Sequence, residues 1–139
     1  MPLEELEGRY ASPSSAGPGT RYELELHGPR SGRRPGEHFS LVASSWSLSR
    51  RTVPGTDQPE VELLGRRVLE GSYRVEGSDV LLEARRSTDV AGNVRGLPHG
   101  PPVVRQVAQT LRAELATGAA GALTLFILGD RVRLGRVGP

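Results

Sequence analysis

The feature that most constrains this chain is a strict alternation of apolar and polar residues over short segments bounded by turn residues. Tyr22, Leu24 and Leu26 alternate with polar residues in 21–27, and the same pattern returns in 39–43. Alternation with a period of two is typical of a strand that buries one face, whereas the apolar residues of a helix recur every three to four positions. Glycine and proline recur between these segments, as they do in chains of many short strands. The sequence therefore predicts a mainly β fold of antiparallel hairpins.

Three hairpins can be aligned so that the apolar residues of both strands share one face. The second is predicted to turn at Gly77-Ser78 and the third at Gly129-Asp130, and a change of phase predicts a bulge at Ser44-Ser45. The predicted inner pairs are Leu26 with Phe39 and Leu24 with Leu41 in the first hairpin, Val75 with Val80 and Tyr73 with Leu82 in the second, and Ile127 with Val132 and Leu125 with Leu134 in the third. A slip of one residue would turn one strand's apolar set to the opposite face, so the pattern itself selects the register.

Residues 103–117 are predicted to form one amphipathic helix before the C-terminal hairpin. Their apolar residues recur every four positions, which is the spacing of one helical face. That row comprises Val103, Val107, Leu111 and Leu115. Pro101-Pro102 in front of the row and Gly118 behind it suit the two ends of a helix. The predicted architecture is a single domain over residues 1–139, a bent sheet or small barrel with this helix packed over it.

Two residue types that carry much enzyme chemistry are missing from the sequence. All 18 basic residues are arginine, and the chain has neither lysine nor cysteine. Lysine Schiff bases, lysine-bearing phosphate loops, thiol nucleophiles and thiolate zinc sites are therefore excluded. No G-x-S-x-G elbow occurs, and paired glutamates alternate on a polar strand face where nothing desolvates them. We expect a protein that is not an enzyme and that uses no cofactor or metal.

Charge and composition also bear on location and partners. The exclusive use of arginine is typical of a GC-rich bacterial genome, and the formal net charge is only +2. No aromatic residues interleave with the arginine doublets, so base stacking lacks a platform and nucleic acid is a disfavoured partner. The first five residues include two glutamates and no apolar segment, and no stretch approaches the ~20 apolar residues of a membrane helix. We expect a cytoplasmic protein without membrane contact.

Residues 69–82 resemble the G-x-Y…G-x-x-L-x-L hairpin of small bacterial lipocalin-like (calycin-type) β-barrel domains. Gly71 and Tyr73 stand in its first strand, and residues 6–10 resemble the entry strand of such barrels. The resemblance implies a meandering barrel that encloses a small apolar ligand. Two features depart from the family pattern: Tyr10 stands where lipocalins carry an entry tryptophan, and the predicted helix precedes a whole hairpin.

Two functions are predicted, and they differ in what fills the interior. The first is a protein-interaction module (a subunit, adaptor or inhibitor) that contacts an acidic protein surface or a second copy of itself. Its partner-binding residues are predicted to be Arg50, Arg51, Arg66, Arg67, Arg85, Arg86, Phe126 and Leu128. The alternative is a lipocalin-like carrier. Its ligand cavity is predicted to be lined by Tyr22, Phe39, Trp46 and Tyr73. A carrier needs a hollow interior, whereas an interaction module fills the same interior with side chains.

His27 and His38 form a further pair of interest, because the first hairpin makes them cross-strand neighbours beside Glu25 and Glu37. Zinc sites in proteins need three or four ligands. Two histidines at strand ends fall short of that number. They are predicted to be solvated residues that flank a turn.

Overall fold

The computed structural model describes residues 3–13, 19–92, 99–115 and 121–137. One helical turn, α1 (Leu3–Leu6), precedes eight strands. The strands are β1 (Gly8–Ala11), β2 (Gly19–Leu26), β3 (Phe39–Thr52), β4 (Pro59–Glu76), β5 (Asp79–Ala91), β6 (His99–Leu115), β7 (Ala122–Ile127) and β8 (Asp130–Val137). Each strand pairs antiparallel with the next, and β8 returns to pair with β1. The strands therefore form a closed barrel in which spatial order follows chain order.

The mainly β, antiparallel architecture predicted from the alternation is confirmed. The first hairpin has Leu26 opposite Phe39, and the second has Tyr73 opposite Leu82. Both registers agree with the prediction, because any odd shift would have moved apolar side chains from the interior to the solvent.

The predicted helix over 103–117 is wrong, because the described part of this segment belongs to strand β6. β6 pairs with β5 along most of its length and with β7 over Arg112–Leu115. A spacing of four residues is two periods of a strand as well as about one turn of a helix, so the row begun by Val103 and Val107 fits either structure. The valines favour a strand, and β6 supplies the pairing that closes the barrel. Residues 116–118 lie outside the described ranges.

The third hairpin has its turn at Leu128-Gly129, so Leu125 lies opposite Val132 and not opposite Leu134 as predicted. The difference is two residues, and the same side chains therefore still face the interior. Leu128 and Gly129 adopt positive φ angles of 51° and 80°. Two successive positive φ angles are typical of the two-residue turn that matches the twist of a hairpin. The predicted inner face was thus correct and the predicted pairing was not.

Apolar side chains from strands all around the barrel fill its interior. Phe39, Val80, Leu82, Leu125 and Leu134 are completely inaccessible to water. An eight-stranded barrel is just wide enough for side chains to fill it. The interior around these residues is therefore a solid core.

One end of the barrel is closed by α1 and by the loop between β2 and β3. Leu6 and Tyr10 are buried, and the Tyr10 hydroxyl donates a hydrogen bond of 2.8 Å to the Leu6 carbonyl oxygen. The Glu7 side chain is buried as well, and its carboxylate accepts a 3.1 Å hydrogen bond from the backbone N–H of Arg30 in that loop. We call this the closed end.

At the opposite end, strands β3 to β6 continue past their shorter neighbours. β2 pairs with β3 as far as Trp46, whereas β3 goes on to pair with β4 as far as Thr52. β5 and β6 remain paired out to Ala91 and His99. We call these continuations together the sheet extension. It comprises residues 47–52 and 59–64, where β3 pairs with β4, and residues 88–91 and 99–107 of β5 and β6.

A bulge was predicted at Ser44-Ser45 of β3. The register does shift there, between Ser45 and Trp46 at the junction between barrel and sheet extension, but the bulge lies in the partner strand β4. The extra residue is Leu64 of β4, because Ser45 pairs with Gly65 and Trp46 pairs with Leu63. A bulge bends its strand and adds one residue between two stretches of period two. It therefore changes which side chains of β4 face inward beyond this point.

Candidate ligand-binding site at the open end of the barrel

A cavity of about 590 Å³ lies where the sheet extension meets the open end of the barrel. Leu41, Leu69 and Ile127 line it, and all three are buried among or beside the core residues. Its outer walls come from the sheet extension and from the turn between β7 and β8. The cavity exists because four strands outrun the other four, so the filled core ends before the sheet does.

Three large apolar side chains on the cavity walls are exposed to solvent. Leu64 and Val103 project from the sheet extension, and Leu128 from the β7–β8 turn, with 56%, 55% and 86% of their surfaces accessible. Leu128 also has a positive φ angle. That conformation costs a residue other than glycine about 1–2 kcal/mol. Exposed apolar side chains that line one concavity are typical of a binding site.

A polar cluster lies on the wall formed by β4, β5 and β6. Arg67 donates from Nε to Asp89 Oδ1, and Arg105 donates from Nη2 to Asp89 Oδ2, each at 2.7 Å. Hydrogen bonds from Arg67 and Arg105 lower the pKa of the Asp89 carboxyl, so that it is ionised at neutral pH. Two guanidinium groups and one carboxylate leave one unit of positive charge at this wall.

A second cavity of about 320 Å³ adjoins the first and shares Arg67 and Leu69 with it. Ser87, Arg105 and Gln109 also line it. Side-chain amides and hydroxyls in such a position can donate hydrogen bonds to an anion held by the arginines. The polar wall is therefore broader than the three charged residues.

Of the four residues predicted to line a ligand, Tyr22 lies in the cavity. Burial, and then the negative charge of Asp130, raise the pKa of its hydroxyl. Phe39 and Tyr73 belong to the filled core, where the Tyr73 hydroxyl donates a 2.7 Å hydrogen bond to the His27 carbonyl oxygen at the closed end. Tyr22 belongs to the same core cluster, but it also lines the cavity, whereas Phe39 and Tyr73 do not.

Trp46, the fourth of these residues, lies outside the cavity lining at the base of the sheet extension. The Arg21 guanidinium stacks 4.8 Å above its ring centroid. Its indole N–H is buried without a hydrogen-bond partner among the described residues, and its register partner Leu63 is also buried. This position makes Trp46 a support of the extension.

The arginine doublets predicted as one cluster are divided by strand geometry. Successive residues of a strand point to opposite faces of the sheet. Arg66 donates from Nε to the Ser44 hydroxyl at 3.1 Å, whereas its neighbour Arg67 bonds to Asp89. Both residues of this doublet line the cavity, but the Arg66 side chain bonds to Ser44 and only the Arg67 side chain joins the polar cluster.

The remaining doublets lie elsewhere on the sheet. Arg50 and Arg51 are exposed near the far end of β3. Arg85 is the extra residue of a bulge in β5, and Arg86 donates a 2.7 Å hydrogen bond to Glu70 on the outer face. The six arginines therefore do not gather at one end.

Phe126 and Leu128, both predicted as partner-binding residues, have different surroundings. Phe126 pairs in register with Arg112 and Arg131, whose guanidinium groups lie 4.1 and 5.8 Å from its ring centroid. Leu128 lies on the cavity wall, so the cations partly cover Phe126 while Leu128 stays open to solvent.

The two histidines are partly buried, with 20% and 18% of their side chains accessible, and not solvated as predicted. His27 Nε2 lies 3.1 Å from Glu25 Oε2, and His38 Nε2 lies 3.1 Å from Glu70 Oε2. Both pairs stand at the closed end, on the far side of the core from the cavity. They therefore belong to the support of the barrel.

The sequence did not indicate Leu64, Asp89, Val103 or Arg105 as site residues. Asp89 was not part of a predicted hairpin and Arg105 lay in the predicted helix, so neither had a predicted cross-strand neighbour. The row that begins with Val103 and Val107 also fits one face of a strand, and residues two apart on a strand share a face. Reading the segment as a strand would have placed Arg105 on the same face as that row.

No protein-family model, curated protein or solved structure matches this chain. Among the described residues, no helix has the length and apolar character needed to cross a lipid bilayer.

Proposed function

We propose that this protein is a non-catalytic binding protein that holds a small apolar ligand at the open end of its barrel. The observation that carries the proposal is the cavity of about 590 Å³ with exposed Leu64, Val103 and Leu128 on its walls. Small-molecule sites are concave, mostly apolar and roughly 300–1,000 Å³ in volume. The cavity meets each of these conditions.

Burial of apolar surface supplies the driving force for such binding. Each buried methylene contributes roughly 0.8 kcal/mol, so a chain of about eight methylenes contributes roughly 6 kcal/mol before the cost of association is subtracted. The solid core around Phe39 and Leu82 leaves no room deeper in the barrel. A ligand therefore enters and remains at the open end.

The proposal is tested by titrating the protein with N-phenyl-1-naphthylamine, an uncharged probe whose fluorescence rises in apolar sites. Leu64→Glu places a charge on the cavity wall, and we expect the affinity for the probe to fall at least tenfold, because a charge in an apolar site is costly to desolvate. Leu48→Glu is the matched control. Leu48 is 53% exposed against 56% for Leu64 and does not line the cavity.

Equal probe affinities for Leu64→Glu, Leu48→Glu and the natural protein would contradict the proposal. Thermal unfolding of each variant shows whether the fold survives, and both positions are exposed enough to accept glutamate. Native mass spectrometry of protein purified from a heterologous host adds a second readout: a non-covalent adduct of a few hundred daltons is expected to be lost in Leu64→Glu.

The second candidate function is the protein-interaction module, and one feature of β6 favours it. β6 pairs with β7 only over Arg112–Leu115, so among the described strands its second edge has no partner from His99 to Leu111. Val103 and Val104 are both exposed on this segment. Unpaired strand edges can add a strand from another protein.

Light scattering after size-exclusion chromatography separates the two candidates. A dimer that Val104→Arg dissociates, together with no binding of the naphthylamine probe, would favour the interaction module. A monomer that binds the probe favours the ligand-binding function.

A further inference from the structure

We propose that the ligand is an amphipathic anion, an aliphatic chain that ends in a carboxylate, and that Arg67 and Arg105 hold its head. This inference rests on the proposed ligand-binding function and names the chemical class of the ligand. It is carried by the position of the Arg67–Asp89–Arg105 cluster, which lies where the mostly apolar cavity meets the smaller polar one.

The cluster has hydrogen-bonding capacity that Asp89 does not use. Each guanidinium group has five N–H donors. Arg67 donates to Asp89 only from Nε, and Arg105 donates only from Nη2, among the described residues. The terminal amino groups of Arg67 therefore remain for a second carboxylate, and guanidinium groups bind carboxylates in short, charge-assisted pairs.

Charge on the two sides of the cavity gives the ligand a direction. The β4–β6 wall carries two arginines and one aspartate, so a negative head gains energy there. Across the barrel, the negative charge of Asp130 acts on Tyr22. An anionic head is therefore drawn to the arginine wall and repelled from the side that Tyr22 lines.

Depth along the strands sets where the chain of the ligand lies. On β4, Leu69 lies at the core, Arg67 is two residues further out, and Leu64 is beyond it. On β6, Arg105 is likewise deeper than Val103. A head at Arg67 and Arg105 leaves the aliphatic chain against the exposed apolar side chains near the rim. The geometry thus accommodates the anion at the arginine wall and the aliphatic chain against the apolar side chains of the cavity.

The test compares decanoate with decanol, which have the same chain and differ in head charge, by displacement of N-phenyl-1-naphthylamine. We expect decanoate to bind about tenfold more tightly than decanol, the order expected for one charge-assisted hydrogen bond. Arg67→Gln and Arg105→Gln are expected to remove that difference and leave decanol unchanged. Arg85→Gln, an exposed arginine outside the cavity lining, is the matched control.

Asp89→Asn is expected to change decanoate affinity in the opposite direction to the arginine variants. It keeps the shape of the side chain and removes the competing negative charge, so decanoate affinity is expected to rise several-fold while decanol affinity stays constant. Arg67 and Arg105 are more than half exposed, so their glutamine variants retain the fold, which circular dichroism verifies. If decanoate and decanol bind equally and no variant separates them, the carboxylate inference is overturned while the binding function stands. If neither they nor the probe binds, both are overturned.

Discussion

His27 and His38 share a short hydrogen bond between their Nδ1 atoms, 2.6 Å apart, and their rings stack with centroids 4.7 Å apart. One Nδ1 must donate and the other must accept. On the other side of each ring, His27 Nε2 lies 3.1 Å from Glu25 Oε2 and His38 Nε2 lies 3.1 Å from Glu70 Oε2. The pair therefore links β2, β3 and β4 at the closed end.

This arrangement predicts that the two histidines stabilise the fold as a unit. We expect the coupling energy between His27→Ala and His38→Ala to be about 1 kcal/mol, because either substitution removes the same hydrogen bond and stacked contact. Urea unfolding of the two single variants and the double variant measures it. Additive losses within ~0.3 kcal/mol would show that the rings act independently.

Leu128 is predicted to reduce stability in exchange for its place on the cavity wall. Its φ angle of 51° suits asparagine better than leucine, and its side chain is 86% exposed, so little packing is lost on replacement. We expect Leu128→Asn to raise the free energy of unfolding of the ligand-free protein by about 0.5–1 kcal/mol. Chemical denaturation checks it. Leu128→Ala, which keeps the unfavourable conformation, is the control and is not expected to stabilise.

Gly71 is predicted to be indispensable for the packing of β4 on β5. A Cβ atom at this position would lie 1.8 Å from the carbonyl oxygen of Glu83, beside the bulge that pairs Glu70 with Arg86. The obstacle is backbone, so it cannot move aside cheaply. We expect Gly71→Ala to cost about 3 kcal/mol or more.

The matched control for this substitution is Gly135→Ala, because no atom lies within 4 Å of the Cβ it introduces. Thermal unfolding of both variants measures the difference. Similar melting temperatures for the two variants would contradict the prediction, because they would mean that β4 and β5 can move apart at Gly71 without loss of stability.

Asp89 is predicted to make stability depend on pH. Its folded-state pKa lies below the ordinary value near 3.8, because Arg67 and Arg105 donate hydrogen bonds to it. A lowered pKa contributes stability that is fully present above the ordinary value and is lost as the pH falls through the folded-state value. The Asp89→Asn variant should therefore be less stable than the natural protein at pH 7, by about 0.5–1 kcal/mol for a partly exposed pair.

This deficit should shrink steadily as the pH falls below about 4. Urea midpoints of the two proteins between pH 7 and pH 2 measure the gap. Arg105→Gln, which removes one of the two donors, should narrow it. A stability difference between the two proteins that does not change with pH would show that the arginines do not stabilise the ionised Asp89 carboxylate.

Much of the barrel could be predicted from residue order alone. Tyr22, Leu24 and Leu26 had to face the same side as Phe39, because a one-residue slip exposes an entire apolar row. The same reasoning could not distinguish registers that differ by two residues, so Leu125 was paired with Leu134 and not with Val132. Which face of a strand a residue occupies follows from the local order of the chain. The position of the turn at Leu128 depends instead on the twist of the two strands that it joins.

Tertiary structure decided the identity of β6 and, with it, the candidate site. The spacing of Val103 and Val107 satisfies helix and strand alike, and only the open edges of β5 and β7 select the strand, since they need a partner to close the barrel. Asp89 meets Arg67 and Arg105 solely because three strands lie side by side in a register shifted by bulges. The sequence by itself determined which residues face inward in most of the strands; the unequal strand lengths around the closed barrel decided where the core stops and the cavity begins.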